Sequence, residues 1–158
     1  MANIINGSNV VIKFKKSDAP AGSEQAIACA TSCTVNINQD FKDIACKPDD
    51  PTKQENQQWK TVTPGIKSWD MSADALYVDD QSITSNTWET VVKTILASDA
   101  VDVVLEVHLF PEGESPKVLS LEGSGFIAST SLTAAAKEDS TFSMNITGSG
   151  ELKYVDPV

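Results

Sequence analysis

The chain has 158 residues, the length of one ordinary domain, with twelve lysines, no arginine, one histidine, twenty-two acidic side chains and a formal charge of −10. At 41% hydrophobic residues it has enough apolar side chain to build a core, which excludes general disorder, and no apolar run approaches the roughly 18 residues of a membrane helix. Arginine's planar fork is the usual grip on phosphate, so an arginine-free chain of this charge is unsuited to holding DNA or an anionic membrane.

From the N-terminus, Met1–Val11 lacks a basic region followed by a long apolar stretch, so no secretory signal is expected. Val10, Ile12 and Phe14 then alternate with Lys13 and Lys15, and Cys33, Val35 and Ile37 alternate with Thr34, Asn36 and Asn38. Period-two alternation of this kind marks strands with one apolar face. Residues 46–61 follow as a long polar loop with Pro48, Asp49, Asp50, Pro51 and Asn56, and almost nothing apolar before Trp59. A loop of that length is uncommon in a compact domain unless it does something, so it is the first place to expect a contact made only in an assembly. An extended segment from Ile66 to Val78 puts Trp69, Met71 and Tyr77 on one side.

One stretch breaks the alternation. Trp88, Val91, Val92, Ile95 and Leu96 fall at helical spacing. Asn86 precedes Glu89 by three residues, which predicts an N-cap with a capping-box partner and a helix over about 87–97. Beyond it the alternation returns: Val101, Val103, Leu105, Val107 and Leu109 share one face, and Asp102, Glu106 and His108 the other. Val118–Leu132 reads as a strand with a bulge or bend at Gly123 and Gly125. Residues 141–154 read as one further strand, with Phe142, Met144, Ile146, Leu152 and Tyr154 on one face. The sum is a mainly β chain of about six or seven strands, a sandwich or barrel with one flanking helix that plugs an open end or face.

Residues that carry chemistry are sparse. His108 is the one imidazole available to a Ser–His–Asp triad, and its place on an alternating strand points to a surface or interface role. The runs Gly123–Gly125 and Gly148–Gly150 do not continue into Gly-Lys-Ser/Thr and read as strand bends. Asp49–Asp50 and Asp79–Asp80 lack an EF-hand pattern. Cys29, Cys33 and Cys46 have no Cys-x-x-Cys spacing, and a zinc site would need all three to converge with His108; small buried thiols in a reducing compartment are the simpler account. No catalysis, metal or cofactor is expected.

Three segments carry a resemblance: Pro64–Leu76 (PGIKSWDMSADAL), Gly123–Thr133 (GSGFIASTSLT) and Thr141–Leu152 (TFSMNITGSGEL). In that order, behind an N-terminal strand and a loop ending in Trp59, they make the chain resemble the major tail protein (tail tube) family of long-tailed bacteriophages over roughly residues 8–154. The three cysteines and the missing arginine depart from a typical member and lie outside those segments or leave them untouched. The resemblance implies one tail-tube domain over residues 1–158, assembled as hexameric rings that stack into the hollow tube through which phage DNA passes. It implies a virion tail location after assembly in the bacterial host cytoplasm, with a tape-measure protein and tail terminator and tip proteins as partners and no membrane. It further implies inter-ring contacts by the loop 46–61 (Lys47, Asp49, Asp50 and Trp59) and by an N-terminal arm, residues 1–8. Candidates for the channel wall are Asp102, Glu106 and His108, with an ordinary outer surface as the open alternative. A net acidic wall would repel phosphate, and a ring of six such chains would carry about −60. A phage-derived contractile injection or secretion device shares the fold, and a free β-sandwich binding module, argued from Trp59 and Trp69 as exposed aromatics, is the remaining alternative.

Overall fold

In the computed structural model, residues 5–44, 61–78, 85–110 and 114–157 are described. Eight strands and one helix follow in the order β1 (Val10–Lys16), β2 (Gln25–Ala26), β3 (Ala30–Ile44), β4 (Thr61–Leu76), α1 (Trp88–Leu96), β5 (Ala100–Leu109), β6 (Lys117–Thr133), β7 (Thr141–Gly148) and β8 (Lys153–Val155). They form one sheet in the order β2-β1-β5-β6-β7-β4-β3, with β8 paired to β6. Six strands are long; β2 and β8, of two and three residues, have no periodicity to read in the sequence.

Chain contacts divide the molecule into two compact units, residues 1–36 with 69–158, and residues 37–68. The first unit holds the core. Alternation buries Ile12 and Phe14 from β1, Val101, Val103 and Leu105 from β5, and Phe142, Met144 and Ile146 from β7. Met71, Ala73 and Ala75 from β4 and Val91 from α1, with Ile27, Trp69 and Ile127, complete the cluster. The small alanines let β4 approach closely, while Met71 and Met144, both fully buried, fill the irregular space between strands. The Cys33 thiol donates weakly to the Val10 carbonyl (3.8 Å), which places this part of β3 near β1.

Four local readings are corrected. Asn86 is not the helix cap: Thr87 occupies that position without a side-chain bond. The Asn86 side chain is instead buried and donates to the carbonyls of Phe14 (2.9 Å) and Gln25 (2.6 Å). Its backbone meanwhile bridges Ile27, so one amide ties the segment before the helix to β1 and β2. The helical stripe is also shifted. Thr94 is buried, its hydroxyl donating to the Thr90 carbonyl (2.8 Å), whereas Leu96 is 80% exposed. The threonine can occupy an apolar site because the back-bond satisfies its polar group.

Residues 141–154 do not form one continuous strand. β7 and β8 both pair with β6, but the register advances by two residues between them, from Gly125↔Gly148 to Glu122↔Lys153. Gly150, with φ +92°, lies in the interruption, a conformation that favours glycine. Finally, β6 runs through Gly123 and Gly125 in unbroken register with β5. Its irregularity falls between Ile127 and Ser129. The two glycines serve close approach instead of bending: Gly123 lies against Trp69, and Gly125 against the Thr147 backbone.

Candidate assembly and channel surfaces

Trp69 is 5% exposed. A Cβ on Gly123 would lie 2.5 Å from Trp69 Cζ2, and one on Gly148 would overlap the ring atoms Cε2 and Cδ2. The indole therefore occupies the space left by two missing side chains on neighbouring strands, and its N–H donates to the Gly150 carbonyl at 3.2 Å. An exposed aromatic at this position, the feature that favoured a free binding module, is not what the fold contains. A second tie lies beside it: the Asn36 side-chain amide donates to the Asp70 carboxylate at 2.8 Å. Further along the same strands, Ser32 Oγ donates to Asp74 Oδ2 (2.8 Å) and Thr31 Oγ1 to the Asp74 carbonyl (3.1 Å).

The second unit, residues 37–68, holds the continuation of β3 and β4. Every described side chain from Ile37 to Asp43 and from Thr61 to Ser68 is exposed. Among them are Ile37, Phe41 (61%), Val62 and Ile66 (79%). The alternation of Cys33, Val35 and Ile37 correctly marks an apolar face, but only Cys33 and Val35 are partly covered. Gly65 lies against the Asp40 backbone, where a Cβ would be 3.1 Å from the carbonyl oxygen, so β3 and β4 approach closely here. Lys47, Asp49, Asp50 and Trp59 lie outside the described residues, as do Cys46, Asp79–Asp80 and the first four residues of the N-terminal arm. Of that arm, Ile5 to Ser8 are exposed, and Asn6 Oδ1 accepts the Ser8 N–H at 3.1 Å.

Asp102, Glu106 and His108 do share one face of β5, and the structure adds partners that the sequence did not reveal. Lys15 Nζ contacts Asp102 Oδ2 at 3.1 Å, and Lys13 Nζ contacts Glu106 Oε2 at 2.8 Å. His108 Nε2 lies 3.4 Å from the same Glu106 oxygen. These lysines belong to β1, whose antiparallel register sets Lys15 opposite Asp102 and Lys13 opposite Val104. Asp102 also accepts from the hydroxyls of Ser124 (2.7 Å) and Ser17 (2.9 Å). The Ser124 bond is the leading reason its carboxyl is held below the usual carboxylate range, with Ser17 and Lys15 adding to it and partial burial opposing. Lys15, whose side chain is 9% exposed, is additionally bonded to the Ala19 carbonyl (3.0 Å). Lys13, Asp102 and Glu106 line a trough of about 670 Å³, with Ser120, Ser124 and Ser149 and the carboxylates Glu24, Glu122 and Glu151. Its other cation is Lys153. Chemically this is a face of hydroxyls and carboxylates whose β1 lysines are already engaged.

Antiparallel β architecture with one helix, a two-stranded arm exposed on both faces and a charged strand face place the chain among mainly β proteins. The chain belongs to the phage tail tube protein family, which it matches over residues 4–154. The fold is similar to that of the tail of an empty gene transfer agent particle of C6 symmetry, with a TM-score of 0.71 at 14% identity, covering 96% of this chain and 98% of the other. It is similar also to the SPP1 tail tube, with a TM-score of 0.67 at 13% identity, over 97% and 80% of the two chains. A chain in the anti-feeding prophage baseplate matches with a TM-score of 0.59 at 9% identity, over 100% and 96%. No curated protein sequence matches the chain.

Proposed function

We propose that this protein is the major tail tube subunit of a phage or phage-like particle, a single tail-tube domain over residues 1–158 that associates into hexameric rings stacked as a DNA conduit. The observation that carries the reading is the tail tube family match along nearly the whole chain, residues 4–154. Similarity to a C6-symmetric tail supports six subunits to a ring. The role is mechanical, with no reaction step and no cofactor. Its location is the tail of the particle, after assembly in the host cytoplasm, with a tape-measure protein inside the tube and terminator and tip proteins at its ends.

Two surfaces have complementary duties in this reading. The arm, together with Lys47, Asp49, Asp50 and Trp59 in the loop between its strands and with the N-terminal residues 1–8, makes the contacts between rings. A ring interface is heterologous, so a chain carries two different patches that meet on successive copies. The β5 face with Asp102, Glu106 and His108 lines the channel. Phosphate is held by free ammonium groups through counterion release, and on this face Lys13 and Lys15 are bound to carboxylates. The trough retains Glu24, Glu122 and Glu151 against the one further cation, Lys153, a surplus of negative charge, so DNA meets hydroxyls and like charge and slides. The test is cryo-electron microscopy of the purified protein at high concentration. Hollow tubes with the β5 face inward are expected; a persistent monomer overturns the tube reading, and tubes with a basic wall overturn the sliding mechanism.

A further inference from the structure

The arm emerges from the first unit between two side-chain ties. On β3 the last residue of the core unit is Asn36, and on β4 the first is Trp69. Asn36 is bonded across the strands to Asp70 (2.8 Å). Trp69 is buried in the space left open by Gly123 and Gly148, and bonded to the Gly150 carbonyl (3.2 Å). The side chains beyond that line, described over Ile37–Asp43 and Thr61–Ser68, are all exposed. The change from a nearly fully buried tryptophan to exposed side chains takes place between Ser68 and Trp69.

We infer that Asn36, Trp69 and Asp70 are positioning residues for assembly: they hold the last rungs of β3 and β4 before the arm, so that the arm meets a second copy of this chain already ordered at its root. The inference rests on the tube reading and deepens it by naming what prepares the arm for its partner. A two-stranded ribbon is marginal on its own in water, and this one carries Ile37, Phe41, Val62 and Ile66 as exposed apolar side chains. A segment that must be ordered at the moment of binding loses affinity to that ordering. Fixing the strands at their point of departure removes part of the loss at every subunit contact along the tube. Asn36 itself contributes little to the fold, because its side chain is exposed and a solvent-accessible bond of this kind has a small net value. Its effect is therefore expected in assembly far more than in folding.

The test uses the full chain, a near-isosteric single replacement and a double exchange that conserves the parent charge. Asn36→Asp sets two carboxylates against each other across the strands, which disfavours the pairing. It is expected to raise the protein concentration at which tubes first appear by about tenfold, with the thermal midpoint of the dispersed subunit nearly unchanged. The double variant Asn36→Asp/Asp70→Asn restores an amide–carboxylate bond in the opposite sense and is expected to restore assembly. Asn145→Ala, which removes an equally exposed cross-strand bond to Ser129 (2.9 Å), is expected to assemble like the parent chain. Assembly of Asn36→Asp at the parent concentration overturns the inference, as does failure of the double exchange to rescue or an equal loss in Asn145→Ala. If the parent chain forms no tubes at any concentration, the tube reading itself falls, and this inference with it.

Discussion

Replacing Gly148 with alanine adds one methyl group against the buried Trp69 ring and is expected to destabilise the subunit by about 3 kcal/mol. The added carbon would overlap Trp69 Cε2 and Cδ2 and lie 2.5 Å from Nε1. Those atoms belong to a rigid ring, so no flexible side-chain end can move aside. Gly123 and its neighbour Leu152 limit retreat on the β6 side, where the Gly123 site already approaches both. Relief requires shifting the indole or the backbone, an overpacking penalty of about 1–3 kcal/mol. A shifted indole also loses its bond to the Gly150 carbonyl, worth about 1 kcal/mol. The ceiling is complete expulsion of the ring: about 200 Å² returned to water at about 25 cal/mol/Å² is roughly 5 kcal/mol. At about 2–4 °C per kcal/mol for a chain of this size, the melting midpoint should fall by about 6–12 °C. Urea titration of Gly148→Ala, followed by circular dichroism, measures the loss. Repeating it in a Trp69→Ala background isolates the cause, because without the ring the methyl group has nothing to meet and its penalty should nearly vanish. A Gly148→Ala chain within about 0.5 kcal/mol of the parent, or the same loss in both backgrounds, would refute the steric reasoning.

Other perturbations separate the remaining parts of the structure. Asn86→Ala leaves the Phe14 and Gln25 carbonyls without their shared donor and should destabilise by about 2–4 kcal/mol in urea titration, much more than loss of an ordinary cap on an exposed helix. Because the Asp102 carboxyl is held below its ordinary 3.8, its ionised form contributes stability at pH values above the unfolded value, and that contribution is lost as pH falls through the folded one. The stability gap between the parent chain and Asp102→Asn should therefore be constant near neutrality and narrow below about pH 4, measured as unfolding midpoints across an acid series. A gap that stays constant through the acid limb would dissociate Asp102 from acid sensitivity. Burial raises the Cys33 thiol above its usual range, while Cys29 is exposed, so iodoacetamide at neutral pH should modify Cys29 well before Cys33 when followed by peptide mass spectrometry.

The strands of the core unit were legible because burial on one side of a strand writes itself into every second residue. Val101, Val103 and Leu105 were assigned to one face and Asp102, Glu106 and His108 to the other, and the structure has them so. The helix was legible from its spacing, although Asn86 was misassigned: an amide before a helix has the same sequence signature whether it caps the first turn or reaches two carbonyls on distant strands. Lys13 and Lys15 were visible as alternating cations, but their pairing with Glu106 and Asp102 depends on β1 lying next to β5, which brings together residues as far apart in sequence as Lys15 and Asp102, 87 positions.

By itself, the sequence determined the mainly β class, the single helix, the apolar face of each long strand and the resemblance to tail tube proteins. Those properties are local or follow from residue order, since side-chain period and turn chemistry act between near neighbours. Only the tertiary structure decided that Gly123 and Gly148 are spaces for Trp69, and that Ile37, Phe41 and Ile66 lie uncovered. Periodicity reports that a face is apolar; which chain covers it depends on what the fold brings opposite. In the core unit that cover is supplied by the chain's own strands and helix, and at the arm the same kind of alternation is left exposed.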